Sequence, residues 1–196
     1  MEKILVFAIS LILFPHVALA EEMPTQAYLP WSLDSQKTIH VLVNSESEIT
    51  ESKKVIINAV ILSEKSIRFY SQHHFEGWQG ALNQIDYADN LPVKLVFTDN
   101  EKSENMILIN LKDESSEFDG YTTYDLNQNK IIKSYVTIYN SKNLTDEDFE
   151  KILRHEFGHS LGLAHSQNIN DIMCKTLPLL NQYISNENIS ALNLLF

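Results

Sequence analysis

One eleven-residue segment constrains this 196-residue chain more than any other: His155-Glu-Phe-Gly-His-Ser-Leu-Gly-Leu-Ala-His165. Positions four apart share a helix face, so the imidazoles of His155 and His159 project together and can share one metal ion. Gly162 lacks a Cβ and tolerates positive φ, which lets the helix end and the chain reverse. That reversal would bring His165 to the same ion. Three neutral imidazoles fill three corners of a zinc tetrahedron and leave the fourth to water, the pattern of a catalytic rather than a structural site. Glu156, beside the first ligand, is placed to take a proton from that water, whose pKa zinc lowers to roughly 7. Two blander readings compete. A helix of ordinary histidines would need all of these positions to coincide by chance, and intact Glu156 argues against a zinc domain without turnover.

The flanking residues predict how the segment is held. Thr145 and Asp148 form a candidate capping box, with Leu144 and Phe149 placed for a hydrophobic staple. Asp146, Glu147 and Asp148 suit the positive end of a helix dipole, and the helix should run to Leu161 and stop at Gly162. Upstream, Lys37–Val43 alternates, with Ile39, Val41 and Val43 on one face of a strand. Thr50 caps a helix expected over Glu51–Tyr70, its apolar positions being Val55, Ile56, Ala59, Val60, Leu62, Ser63, Ile67 and Tyr70. Residues 71–92 are polar, interrupted by Gly77, Gly80 and Pro92, and read as loop with a short helical turn. Val93–Thr98 and Met106–Leu111 read as strands, 112–120 as an acidic loop, and Gly120–Asp125 and Ile131–Tyr139 as strands joined by an Asn-rich turn. A last helix starts near Ser185 and turns Ile189, Leu192, Leu195 and Phe196 inward. The sum is a mixed α/β domain.

Composition bounds the setting. Residues 4–14 form an apolar run after Met-Glu-Lys, and Ala18-Leu19-Ala20 precedes Glu21. This is the layout of a removable signal peptide over 1–20, followed by one domain over 21–196, and it predicts a secreted, extracellular protein. The run is short for a membrane span, although Glu2 offsets Lys3 and leaves an uncleaved anchor as the alternative. Acidic residues outnumber basic ones 26 to 15, a net charge of −11. Such a surface argues against nucleic acid and anionic membranes as partners. A single cysteine, Cys174, excludes an intrachain disulfide. Asn143-Leu-Thr145 and Asn188-Ile-Ser190 fit the glycosylation pattern, but in so Asn-rich a chain they read as chance matches. No long apolar face demands a partner, so a monomer is expected.

The extended motif HExxHxxGxxH followed by a methionine resembles the metzincin metalloendopeptidases. Met173, in Asp171-Ile-Met173, follows His165 by eight residues, and Ser166 directly follows the third histidine. Both features resemble the matrixin (matrix metalloproteinase) branch, as does the order of Trp31, the first strand, the long helix and the Glu-Phe-Asp-Gly loop before Tyr121. The resemblance implies an α+β catalytic domain. Its mixed, mostly parallel twisted sheet would have about five strands, with a long early helix, an active-site helix and a C-terminal helix. It implies zinc held by His155, His159 and His165, Glu156 as general base, and hydrolysis of internal peptide bonds in protein substrates. Met173 would form the Met-turn, an apolar floor under the ligands; a plain core methionine predicts the same burial. Tyr121, Thr122, Thr123 and Tyr124 would be the edge on which an extended substrate lies, an arrangement that an ordinary amphipathic edge strand also fits.

Departures from the family pattern matter too. No histidine lies between His74 and His155, so the family's second, structural zinc should be missing; His40, His73 and His74 read as strand or surface residues. The matrixin prodomain cysteine has no room ahead of Trp31. Cys174 reads as a buried small apolar residue, with a regulatory thiol as the minority reading. The specificity wall after the Met-turn departs as well, leaving Leu177, Pro178, Leu179, Leu180 and Tyr183 to line an apolar pocket. Calcium is a candidate second ion, with Asp113, Glu114, Glu117 and Asp119 offering oxygen ligands on the acidic loop. The rival class is a secreted zinc-dependent module that holds peptides without cutting them. A peptidase processing one particular partner protein shares the chemistry and differs only in breadth.

Overall fold

A computed structural model describes residues 29–33, 35–69, 72–87, 91–176 and 183–196. The expected signal over 1–20 and the wall residues Leu177, Pro178, Leu179 and Leu180 lie outside them. The elements run β1 (Thr38–Ser45), α1 (Glu51–Leu62), β2 (Ser66–Phe69), β3 (Gln72–Phe75), α2 (Trp78–Leu82), β4 (Lys94–Phe97), β5 (Met106–Leu111), β6 (Gly120–Asn127), β7 (Lys130–Ile138), α3 (Asp146–Ser160) and α4 (Asn186–Leu192). Among the described residues, no helix is long and apolar enough to cross a membrane.

The main sheet has five strands in the order β4-β1-β5-β7-β6. Its pairs are parallel except the last, where β6 runs antiparallel to β7 as the hairpin around the Asn-rich turn dictates. The interior strands alternate, and their apolar face is the one fully covered: Ile39 and Val41 on β1, Ile107 and Ile109 on β5, and Val136 and Ile138 on β7 are fully buried, whereas His40, Asn110 and Thr137 between them are only half-buried. Helix α3 packs on β6, β7 and α1 through Phe149, Ile152, Leu153 and Phe157. This is the α+β architecture expected, with the sheet edge β6 lying against the motif-bearing helix.

Two expectations need correction. Helix α1 ends at Leu62 rather than Tyr70, and its buried stripe is Ile57, Val60 and Ile61, whereas Val55 is 66% exposed. Ile67, assigned to that helix by spacing, lies on β2, and β2 pairs antiparallel with β3 in a separate two-stranded sheet. The terminating cause is tertiary. Ser63 N–H donates back to Ala59 O, Gly80 N–H donates to Ser63 O, and Gly77 sits so close that a Cβ there would lie 2.5 Å from the carbonyls of Ala59 and Ser63. The segment 71–92, read as loop with a short helical turn, has that turn as α2 but also holds the strand β3; β3 bridges Ile184, with Phe75 and Ile184 exchanging backbone bonds of 2.9 and 3.0 Å.

The ends of α3 follow the local chemistry. Thr145 Oγ1 accepts Asp148 N–H (3.1 Å) and donates on to the Asp148 carboxylate (2.7 Å). Three acidic residues fill the first turn. Leu161 caps the C-terminus and Gly162 follows at φ +100°, a conformation that costs a side-chain-bearing residue dearly. The N-terminal arm is tacked to this turn. Leu29 N–H donates to Gly162 O (3.2 Å), and the buried Trp31 donates through Nε1 to Ser160 O (3.0 Å). A full capping box forms on α4, between Ser185 and Asn188.

Candidate active site

Helix α3 and the turn after it bring His155, His159 and His165 together. Their ligand atoms all lie within 4.8 Å of one another, and no other trio of His, Cys, Asp or Glu does so among the described residues. The ring centroids are 4.6, 5.4 and 4.6 Å apart. Two rings are fixed from behind by backbone carbonyls, which only accept. His155 Nδ1–H therefore donates to Ile172 O (2.7 Å) and His159 Nδ1–H to Leu163 O (2.7 Å).

That tautomer has a consequence. With both Nδ1 atoms protonated, the Nε2 atoms of the neutral rings are bare lone pairs, and they face each other at 3.1 Å. Burial, with a smaller contribution from neighbouring rings, pushes His155 down to about 4 and His159 down to about 3, so near neutral pH no proton relieves the repulsion. His165, less buried, is also lowered, first by burial and then by the charge of Lys175. Lone pairs converging on one point fit a cation, and an all-imidazole set fits zinc.

Glu156 is buried beside this trio. Burial raises its carboxyl to about 7, opposed by a hydrogen bond from Thr122. Thr122 Oγ1 lies 2.6 Å from Glu156 Oε2, to which it donates, and 3.1 Å from Glu156 O. Gly120 leaves the carboxylate its space: a Cβ there would come within 2.7 Å of Glu156 Cγ and 2.9 Å of Oε1. Tyr124 OH donates to His159 O (2.8 Å), a second tie between β6 and the helix.

The group forms one wall of a cleft of about 850 Å³. Tyr121, Thr122 and Tyr124 of β6 line it, with Phe118 on the loop before and Lys175 and Thr176 after Met173. Thr123, grouped with them by sequence, is not among the lining residues and pairs with Tyr135 of β7. Met173 is fully buried, its sulfur against Gly158, where a Cβ would overlap it and lie 2.7 Å from Trp78 Cζ2. Cys174 is also buried.

The four loop carboxylates do not converge. Asp113 is taken up by Ser47 Oγ and by Lys142 Nζ (3.2 Å), whereas Glu117 and Asp119 line the cleft. Three contributors went unread in the sequence: the Thr122 hydroxyl, Trp78 under the helix, and Asp171, whose carboxylate accepts the Met173 N–H (2.7 Å). Thr122 and Trp78 have no local signature because their partners lie on distant segments; Asp171 reaches Met173 locally, but Ser185 and Asn188, which fill the rest of its carboxylate, come from the start of α4.

A helix-borne histidine pair, a third histidine after a glycine reversal, an adjacent buried carboxylate and an edge strand beside a cleft define the metallopeptidase class. The family model described as matrixin matches residues 54–195. The chain belongs to the matrixin family, whose members normally bind zinc, and is in general terms a metallopeptidase. A comparison with curated proteins gives no match. Among solved structures the chain is similar to one described as "GM1 bound form of the ECX AB5 holotoxin", at 12% identity and a TM-score of 0.45, covering 90% of this chain and 91% of that one. At that distance the likeness carries no argument.

Proposed function

We propose that the protein is an exported, monomeric zinc-dependent endopeptidase that hydrolyses internal peptide bonds, with His155, His159 and His165 as metal ligands and Glu156 as general base. The observation that carries this reading is the meeting of deprotonated Nε2 atoms beside a buried carboxylate on the wall of an open cleft.

A zinc ion bound by the trio would supply Lewis acidity, lowering the pKa of water and polarising a carbonyl oxygen. The chain's own groups do the rest. The free edge of β6 offers backbone donors and acceptors to an extended peptide, which favours affinity over strict sequence selectivity. Thr122 holds Glu156 Oε2, leaving Oε1 to take a proton from water as its oxygen bonds to the scissile carbonyl carbon. Glu156 then gives that proton to the leaving nitrogen as the C–N bond breaks, so one water is consumed and the carboxyl returns to its starting state.

Fragments of a casein-type substrate should appear with wild type and vanish with a chelator. Glu156→Gln should keep its zinc and lose nearly all turnover. Full turnover by that variant would remove Glu156 from the role, and peptides held intact by wild type would favour a binding module. Export rests on residues 1–20; a mature N-terminus at Glu21 in the medium is the expected outcome, and a cell-retained, full-length chain the contrary one.

A further inference from the structure

Asp171 is a charged side chain only 1% exposed, and four hydrogen bonds converge on it. Its Oδ1 accepts Met173 N–H (2.7 Å) and Asn188 Nδ2 (2.9 Å); its Oδ2 accepts Ser185 Oγ (2.9 Å) and Asn188 Nδ2 (3.1 Å). Ser185 and Asn188 belong to the start of α4, and Asn188 is fully buried. A buried carboxylate is tolerated only when its acceptor sites are so filled.

One contact gives the cluster a reach beyond packing. The N–H of Met173 and the C=O of Ile172 belong to the same peptide unit, which is planar and rigid. Asp171 grips one end of that plane, and His155 Nδ1–H donates to the other (2.7 Å). A carboxylate accepting the amide proton polarises the peptide and strengthens its carbonyl as an acceptor. We propose that Asp171 is a positioning residue for the metal site: through the 172–173 peptide it fixes the His155 ring and raises the donor strength of its Nε2. The inference rests on the functional reading above, in that it takes His155 for a zinc ligand.

The test uses Asp171→Asn and the exchange Asp171→Asn/Asn188→Asp, in the full chain. The exchange restores complementary donors and acceptors between the two positions while moving the charge off the 172–173 amide. Zinc affinity is read by competition with a chromophoric chelator, and thermal stability of the metal-free protein by circular dichroism. Asp171→Asn should bind zinc about 10- to 100-fold more weakly, the usual loss for groups that orient ligands. The exchange should recover thermal stability yet bind zinc still at least about 10-fold more weakly than wild type. Should Asp171→Asn fail to fold, the exchange alone decides the matter. Wild-type zinc affinity in the exchange variant, or in folded Asp171→Asn, would reduce Asp171 to a structural tie and overturn the proposal. Wild-type protein that takes up no zinc would sink the functional reading itself, a different outcome.

Discussion

Gly158 lies between the first two histidines on α3, and replacing it with alanine tests whether the floor of the site is close-packed. Intrinsic helix preference favours the change by about 1 kcal/mol. Packing opposes it. The new Cβ would overlap Met173 Sδ and stand 2.7 and 3.0 Å from Trp78 Cζ2 and Cη2. Both neighbours are fully buried, and the Trp78 ring is pinned by its Nε1 donation to Arg154 O (3.0 Å), so the ring cannot simply swing away. Methionine is adaptable, which limits the strain on that side. Overpacking of this kind costs about 1–3 kcal/mol, with two walls placing the cost at the upper end. The net is a loss of about 1–2 kcal/mol, or roughly 2–8 °C in Tm for a chain of this size. Thermal and urea unfolding of metal-free Gly158→Ala measure it. A variant as stable as wild type, or more so, would show that helix preference outweighs the contacts beneath the histidines and refute the reasoning.

Other outcomes follow from the same geometry. Gly120→Ala should push the Glu156 side chain aside and lower turnover at least roughly ten-fold with zinc retained; unchanged kcat in a peptide assay would contradict that. Thr122→Val removes the 2.6 Å bond to Glu156, and a fall in kcat of about ten-fold with KM little changed is expected. Metal-free stability should depend on pH. His155 and His159 fall to about 4 and 3 in the folded state from near 6.5 unfolded, so unfolding takes up protons below pH 6.5 and stability drops as pH falls. Glu156, raised to about 7, works the other way between pH 4.5 and 7. His155 and His159 against Glu156 leave a net uptake of about one proton near pH 5.5, or about 1.4 kcal/mol lost per pH unit, and His165, also lowered, adds in the same direction. Urea titrations at pH 6.5, 5.5 and 4.5 check this, and stability that rises on acidification would contradict the burial of the rings.

The parts of the fold legible in sequence are those whose cause is local. The alternation of β1, the apolar run of β5, the Thr145 cap and the Gly162 stop each carry their own signal, and the structure has them at or within a few residues of the expected bounds. Spacing alone carries helix α1 past its true end because Ser63, Glu64 and Lys65 are no barrier to a helix; what ends it is Gly77 and Gly80 closing on its last turn. The histidine spacing fixes a helix face, so its convergence could be foreseen from residues 155–165. Thr122 against Glu156 and Asp171 against Asn188 could not, since strand register and the docking of α4 decide them.

X-ray absorption at the zinc edge of the loaded protein probes the central claim most directly. One zinc per molecule should be found, with three imidazole nitrogens at about 2.0–2.1 Å and a single light oxygen donor completing the shell. Only two imidazoles, or a sulfur at about 2.3 Å from Cys174, would contradict it.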